Sequence, residues 1–302
     1  MYLTKLVKYG MIVLKRMHVP LYSSKYSKKT YTVHQHLLCL CIKEIQKQSY
    51  RHCRDFLDEF EILQELLGLT KVPHYTTPQK CLHRFPPRWY RFLLIQLTLL
   101  VKSRAAAVID GTGLMQTTAS FSYITRIGRH VRKRDYFKML TVVDPSDGFI
   151  LMAWGIHGNR HESPWFIPLL EDIHLSLNDI AGDKGFDSEK NQRYIEKERH
   201  ARSFVDVRDV PQRGRYRKHV YRKKQMNRDQ WTQQYRQMRN AIESKNFSFK
   251  HCFGDFIPGK NIHSRRRYLL IRVLTANLIT LQKLRNPLFF VYTIIEDFYS
   301  PK

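Results

Sequence analysis

The chain has 302 residues, with 52 Lys and Arg against 26 Asp and Glu, a formal charge of +26. That length can bury one large core and a small one, and an imbalance of this size calls for a polyanionic partner, nucleic acid foremost. No apolar run reaches the ~18 uncharged residues of a membrane span, and the MIVL near the N-terminus is too short for a secretory leader. A cytoplasmic, nucleoid-associated protein with no membrane partner is therefore expected.

In chain order, residues 1–30 are basic and rich in Tyr and Ser without a clear period, and read as a loosely attached segment. Residues 31–100 read as a small all-α domain. Leu37, Leu38, Cys41 and Ile45, then Phe56, Leu57, Phe60, Leu63 and Leu67, recur at helical spacing and stop at Gly68. In VPHYTTPQKCLHRF, Thr77 reads as an N-cap and Pro78 as the first helical residue. The short helix that follows carries Lys80, His83 and Arg84 outward, so a helix-turn-helix reader of duplex DNA is one reading and a plain packing domain the other. Trp89 to Leu100 forms a further helix. Five cysteines, an odd number in mostly apolar sequence, suggest buried thiols in a reducing compartment.

From Ala105 the pattern changes. AAAVIDGTG is an apolar run closed by Asp110 and glycines, a buried strand with a carboxylate at the rim of a sheet. Tyr136 to Val143 and Gly148 to His157 read as a hairpin around DPSDG, where Asp144 and Asp147 are turn residues. SPWFIPLLEDIHLSL reads as one Ser-capped helix. Asn178 to Ala181 is a short strand that places Asp183 at its end, followed by helix Ser188 to His200, with Asp187 in the turn or capping it, and strand Ala201 to Val207. The order β, β, β, α, β, α, β predicts a mixed five-stranded sheet, three antiparallel strands and then parallel ones, flanked by helices. Residues 211–228 hold Arg213, Arg215, Arg217, Lys218, Arg222, Lys223 and Lys224 with two Tyr and no acid, a track for DNA backbone. The next helix, Asp229 to Lys250, carries Tyr235, Arg239, Glu243 and Lys250 on one face. The helix from Tyr268 to Leu284 is apolar on most sides, and residues 286–302 form a tail.

Asp110, Asp183 and Glu243 come from two strand ends and a helix. Brought close together, three anions repel unless divalent cations bind among them. Hard oxygen ligands favour Mg²⁺ or Mn²⁺, and two such ions about 3.5 to 4 Å apart clamp both the attacking and the leaving oxygen of a phosphodiester. His157, His161 and Glu162, in GIHGNRHES, are weaker candidates for DNA positioning that loop solvation explains equally well.

DGTG at Asp110, DKGFDS at Asp183 and the R-x₃-E-x₆-K spacing of Arg239, Glu243 and Lys250 resemble the DDE transposases of prokaryotic insertion sequences, over Ala105 to about Leu281. The resemblance implies an RNase H-like (retroviral integrase) catalytic domain over residues 101–285. It also implies a triad of Asp110, Asp183 and Glu243 holding two Mg²⁺ or Mn²⁺ ions, and phosphate contacts by Arg239 and Lys250. The partners it implies are double-stranded DNA, as terminal inverted repeats and target, and a second copy of the chain. Two positions depart from the family pattern. Tyr235 lies four residues before Arg239 where three is usual, and Phe186 stands where Tyr is common. A DNA-binding protein that does not cut, and a nuclease of the same fold without strand transfer, are the alternative functions.

Overall fold

The computed structural model describes residues 2–101, 105–118, 126, 136–207 and 231–283. Six helices come first: α1 (Tyr2–Arg16), α2 (Val33–Ile45), α3 (Tyr50–Glu59), α4 (Glu61–Leu67), α5 (Thr76–Arg84) and α6 (Pro87–Leu99). Strands β1 (Ala106–Leu114), β2 (Phe137–Val143) and β3 (Ile150–His157) follow. Beyond them lie a 3₁₀ turn with α7 (Phe166–Glu171), then β4 (Asp179–Gly182), α8 (Glu189–Arg193), β5 (Arg202–Val205), α9 (Trp231–Phe253) and α10 (Ile262–Lys283).

The five strands form one sheet in the order β3-β2-β1-β4-β5, with β1, β2 and β3 antiparallel and β1, β4 and β5 parallel. This is the RNase H-like α/β architecture expected from the strand order. Local chemistry accounts for the element ends. Thr32 caps α2 in a reciprocal box, its hydroxyl accepting from Gln35 N and the Gln35 side chain accepting from Thr32 N at 2.7 Å. Gly68 ends α4 at φ 64°, a left-handed conformation that glycine adopts without steric cost. Pro87 opens α6, where its missing N–H costs nothing.

Several expectations are corrected. Residues 2–16 are not loosely attached. Leu6, Val7, Val13 and Leu14 form a buried stripe at offsets of seven, and α1 packs on α2, α4 and α10. The intervening lysines and tyrosines hide that stripe in a composition-based reading. Thr77 does not cap α5, which starts at Thr76 after Tyr75 without a side-chain cap. Eight residues separate α4 from α5, and α5 packs on α2. The segment expected as one long helix from Ser163 has only six α-helical residues, Phe166–Glu171. Ser188 rather than Asp187 caps α8, accepting from Asn191 N, and Asp187 sits in the preceding turn.

The core is continuous from the helical layer into the sheet. Helix α10 is the hinge between them, packing on α2 and α6 on one side and on β3 on the other. Inside that packing, Arg272 is paired with Glu44 of α2 at 2.6 Å. Among the described residues no helix is long and apolar enough to cross a membrane. All five cysteines are free, four of them buried.

Candidate active site

The parallel pairing of β1 with β4 ends at Ile109 opposite Gly182. The next residues in register are Asp110 and Asp183, so strand spacing alone sets the two backbones about 4.8 Å apart just past the end of the pairing. Asp110 is not the last residue of its strand. β1 runs on to Leu114 against β2, and the rim exists only on the β4 side because β4 stops. Asp183 leaves the sheet at once, its Oδ1 accepting from Gly185 N at 2.8 Å.

Helix α9 packs across β1 and β4 and supplies the remaining groups. Tyr235, Arg239 and Glu243 are spaced by four, so they share a face. Arg239 donates from Nε to Glu243 Oε1 at 2.8 Å and from Nη1 to the Tyr235 hydroxyl at 3.2 Å. One pocket is lined by Asp110, Asp183, Tyr235, Arg239 and Glu243 together. Lys250, seven residues beyond Glu243, does not line it. Tyr235 is only 9% exposed, its ring stacked on Trp231 at 4.5 Å.

The three carboxylates are of the right kind for a hard divalent cation, but each is held by its own hydrogen-bond donor. Among the described residues no three His, Cys, Asp or Glu side chains are grouped closely enough to hold an ion as they stand. Glu243 faces Arg239 instead, its Oε1 taken by the guanidinium.

Burial pushes the Asp110 carboxyl up to about 6, with Asp183 and Glu162 adding to the rise while the Gly111 N–H and Arg239 oppose it. That lies above the unfolded value of about 3.9, so the folded, metal-free chain holds an extra proton between the two. Stability therefore falls as pH rises through that window, and the loss persists at neutral pH. Asp110→Asn, uncharged throughout, is expected to melt higher than wild type at pH 7 in EDTA, by on the order of 1 to 2 kcal/mol, with the gap closing toward pH 4. Thermal melts at pH 4.5 and 7.5 check it; an unstabilised variant at pH 7.5 contradicts it.

Asn246 escaped the sequence reading, and Glu162, expected there only as a weaker candidate for DNA positioning, lies beside the site. Asn246 donates from Nδ2 to Asp110 Oδ2 at 2.9 Å, and its Oδ1 lies 3.3 Å from the Thr141 hydroxyl. Its position three residues after Glu243 on the same face was the available signal. Glu162 lies over the backbone next to Asp110, where a Cβ on Gly111 would come within 2.7 Å of its carboxylate. Lys138 holds that carboxylate at 2.7 Å. The glycine directly after Asp110 was the sequence trace of this close approach. Phe186 is fully buried against Phe166 and serves the core. Asp144 and Asp147 are turn acceptors, taking hydrogen bonds from Ser146 and from Phe149 N. His157 is exposed at the end of β3. Lys80 and Arg84 are exposed on α5, away from the carboxylate pocket. Arg213, Arg215, Arg217, Lys218, Arg222, Lys223 and Lys224 lie outside the described residues.

The family model described as transposase DDE domain matches residues 102–278. No curated protein matches the chain. Among solved structures, a cryo-EM structure of a piggyBac transposase synaptic complex with hairpin DNA is similar at 11% identity and a TM-score of 0.42, covering 99% of this chain and 80% of that one.

Proposed function

Since the chain belongs to the transposase DDE domain family, we propose that it nicks DNA at the terminal inverted repeats of a prokaryotic insertion sequence and joins the freed 3′-hydroxyls to target DNA. The observation that carries this reading is the register of β1 and β4, which sets Asp110 beside Asp183 in a pocket that Glu243 also lines. Two Mg²⁺ or Mn²⁺ ions, when bound, supply a lowered pKa for the attacking water or hydroxyl and a counter-charge for the leaving oxygen.

The chain's own residues do the rest. Asp110 presents its oxygens from within β1 where β4 stops, and Asp183 from the turn that leaves β4, so the β1–β4 register brings their backbones side by side. Glu243 closes the set from α9. Glu243 would be the third ligand of the cation, and Arg239, which now donates to it, would then be available to a DNA phosphate. Asn246, anchored on Thr141, fixes the orientation of the Asp110 carboxylate. Lys250 and the basic stretch 211–228 extend the DNA track. Joining two ends in one event requires two active sites, so a homodimer on the paired ends is part of the proposal.

The test is an end-bearing duplex incubated with the chain in Mg²⁺ or EDTA and resolved on a sequencing gel. Nicks at the repeat boundary in Mg²⁺ alone, followed by strand-transfer products, support the reading; nicks without transfer indicate a nuclease, and binding without nicks indicates a protein that only recognises DNA. Asn246→Ala is expected to weaken Mn²⁺ binding by about 10- to 100-fold, the usual cost of losing an outer partner of a ligand. Titration calorimetry checks this, and unchanged affinity removes Asn246 from the site.

A further inference from the structure

The connection between α1 and α2 closes a cleft of about 740 Å³ against α2 and α5. Small-molecule sites are typically about 300 to 1,000 Å³. The connection is pinned at both ends of the cleft: Val33 N donates to the carbonyl of Leu21 at 2.7 Å, and Arg84 of α5 donates from Nη1 to the Ser23 hydroxyl at 2.9 Å. The wall has two kinds of lining. Tyr22, Tyr31 and Phe85 supply rings, and Phe85 is fixed in orientation by stacking on Trp89 at 4.0 Å. Lys28, Arg84 and several Ser and Thr hydroxyls supply the polar part, and among the described residues no carboxylate lines it.

His36 makes this more than a surface crease. It lines the cleft from α2, is only 6% exposed, and its Nδ1 has no hydrogen-bond partner. Burial first, and Arg84 second, lower its pKa to about 4, so at neutral pH the ring is uncharged, with one nitrogen a donor and the other an acceptor. An unsatisfied buried polar atom costs free energy that a ligand able to pair with it recovers. Rings, a buried imidazole and an anion site in one cleft fit one ligand class. A nucleobase stacks on aromatic rings and hydrogen-bonds through its edge. A phosphate is received by Arg84, which keeps guanidinium N–H groups beyond the one given to Ser23, and by Lys28. Nine-residue α5 starts without a side-chain cap at Thr76, next to the lining Thr77, and adds the positive end of its dipole.

We propose that this cleft binds a free nucleoside monophosphate, its base among the rings and against His36, its phosphate at Arg84 and Lys28. The cleft shares no residue with the carboxylate pocket, and the proposal does not rest on DNA cutting. A nucleotide bound there ties the α1–α2 connection to α5, so it raises the melting temperature of the chain.

The experiment titrates AMP into the full chain in EDTA at pH 7.5, read by calorimetry, with adenosine and inorganic phosphate as the two half-ligands. AMP is expected to bind at least about 10-fold more tightly than either half. Arg84→Met should lose at least about 10-fold for AMP and leave adenosine within about 2-fold, because it removes only the charged partner of the phosphate. His36→Phe keeps a ring and removes both nitrogens, and should weaken AMP and adenosine alike. Lys190→Ala removes one positive charge from an exposed position elsewhere and should change neither. Circular dichroism checks the fold, and Tyr31→Leu, with the same expected losses, replaces His36→Phe if that variant melts early. Absence of AMP binding overturns the proposal, as do phosphate bound as tightly as AMP and AMP affinity that survives these substitutions. Displacement of AMP by a duplex also overturns it, since the cleft would then be part of a nucleic-acid surface rather than a nucleotide site.

Discussion

Replacing Asp110, Asp183 or Glu243 by Ala, one at a time, is expected to lower metal-dependent nicking by about 10³-fold or more, about 4 kcal/mol at the transition state, while duplex binding in EDTA stays within a few-fold. The two halves of this expectation have different physical origins. On the proposed mechanism nicking would need the cation, and the cation would need all three oxygen donors to offset its dehydration. Binding is dominated by Lys and Arg contacts to phosphates, which the substitutions leave in place. Removing an acid from a chain of formal charge +26 tends, if anything, to strengthen attraction to DNA. The three variants should differ in stability as well. Asp110→Ala relieves a buried carboxyl, whereas Glu243→Ala only frees Arg239 from a pair whose members are both about half exposed. Gel assays of nicking beside anisotropy in EDTA measure both halves. Retained Mg²⁺-dependent nicking in any one variant removes that residue from the triad.

The largest expected loss of stability lies far from the pocket. Arg272 donates from Nε to Glu44 Oε2 at 2.6 Å and from Nη1 to the carbonyl of Phe256 at 2.8 Å, with side chains only 6% and 2% exposed. Burial pushes the Glu44 carboxyl up, but Arg272 and Lys43 outweigh it and hold it below the usual carboxylate range. Its contribution is therefore present above the unfolded value of about 4.3 and lost as pH falls through the folded one. Arg272→Met keeps the bulk and removes the charge, leaving a buried carboxylate with Lys43 alone. The expected cost is about 3 kcal/mol at pH 7, read from urea midpoints. Adding Glu44→Gln to Arg272→Met should recover part of the loss, because the uncompensated anion is what costs energy; a fully additive double variant contradicts that origin. The effect should reach the active site too. Phe256 bridges to Met115 just beyond the end of β1, so Arg272 also braces the connection between α9 and α10.

Much of the catalytic layer could be read from the chain because its determinants are local and periodic. The apolar run before Asp110, the hairpin around DPSDG and the four-residue spacing on α9 each fix an element by themselves. Asp183 was legible as a strand-end acid and Asp110 as an acid on a buried strand, which in fact runs on to Leu114, but their neighbouring placement depends on a parallel register that no local pattern encodes. Asn246 was not assigned to the site, and Glu162 was only a weak candidate, because their importance lies in what they touch. A helical Asn looks like solvated surface until its amide meets Asp110, and a loop Glu looks free until it lies on Gly111. The N-terminal helix was hidden by charge, since Lys5, Lys8 and Lys15 interrupt a stripe that repeats only every seven residues. Arg272 stands inside the apolar helix from Tyr268, and its reason is a carboxylate 228 residues earlier in the chain.

The central claim is an acidic nest that gathers a pair of divalent cations, and electron paramagnetic resonance of Mn²⁺ bound to the chain with end-bearing DNA tests it most directly. The account predicts two Mn²⁺ per active site, spin-coupled at a separation of about 4 Å, with the coupling abolished by Asp110→Ala, Asp183→Ala or Glu243→Ala. Uncoupled Mn²⁺ signals, or coupling that survives all three substitutions, would contradict it.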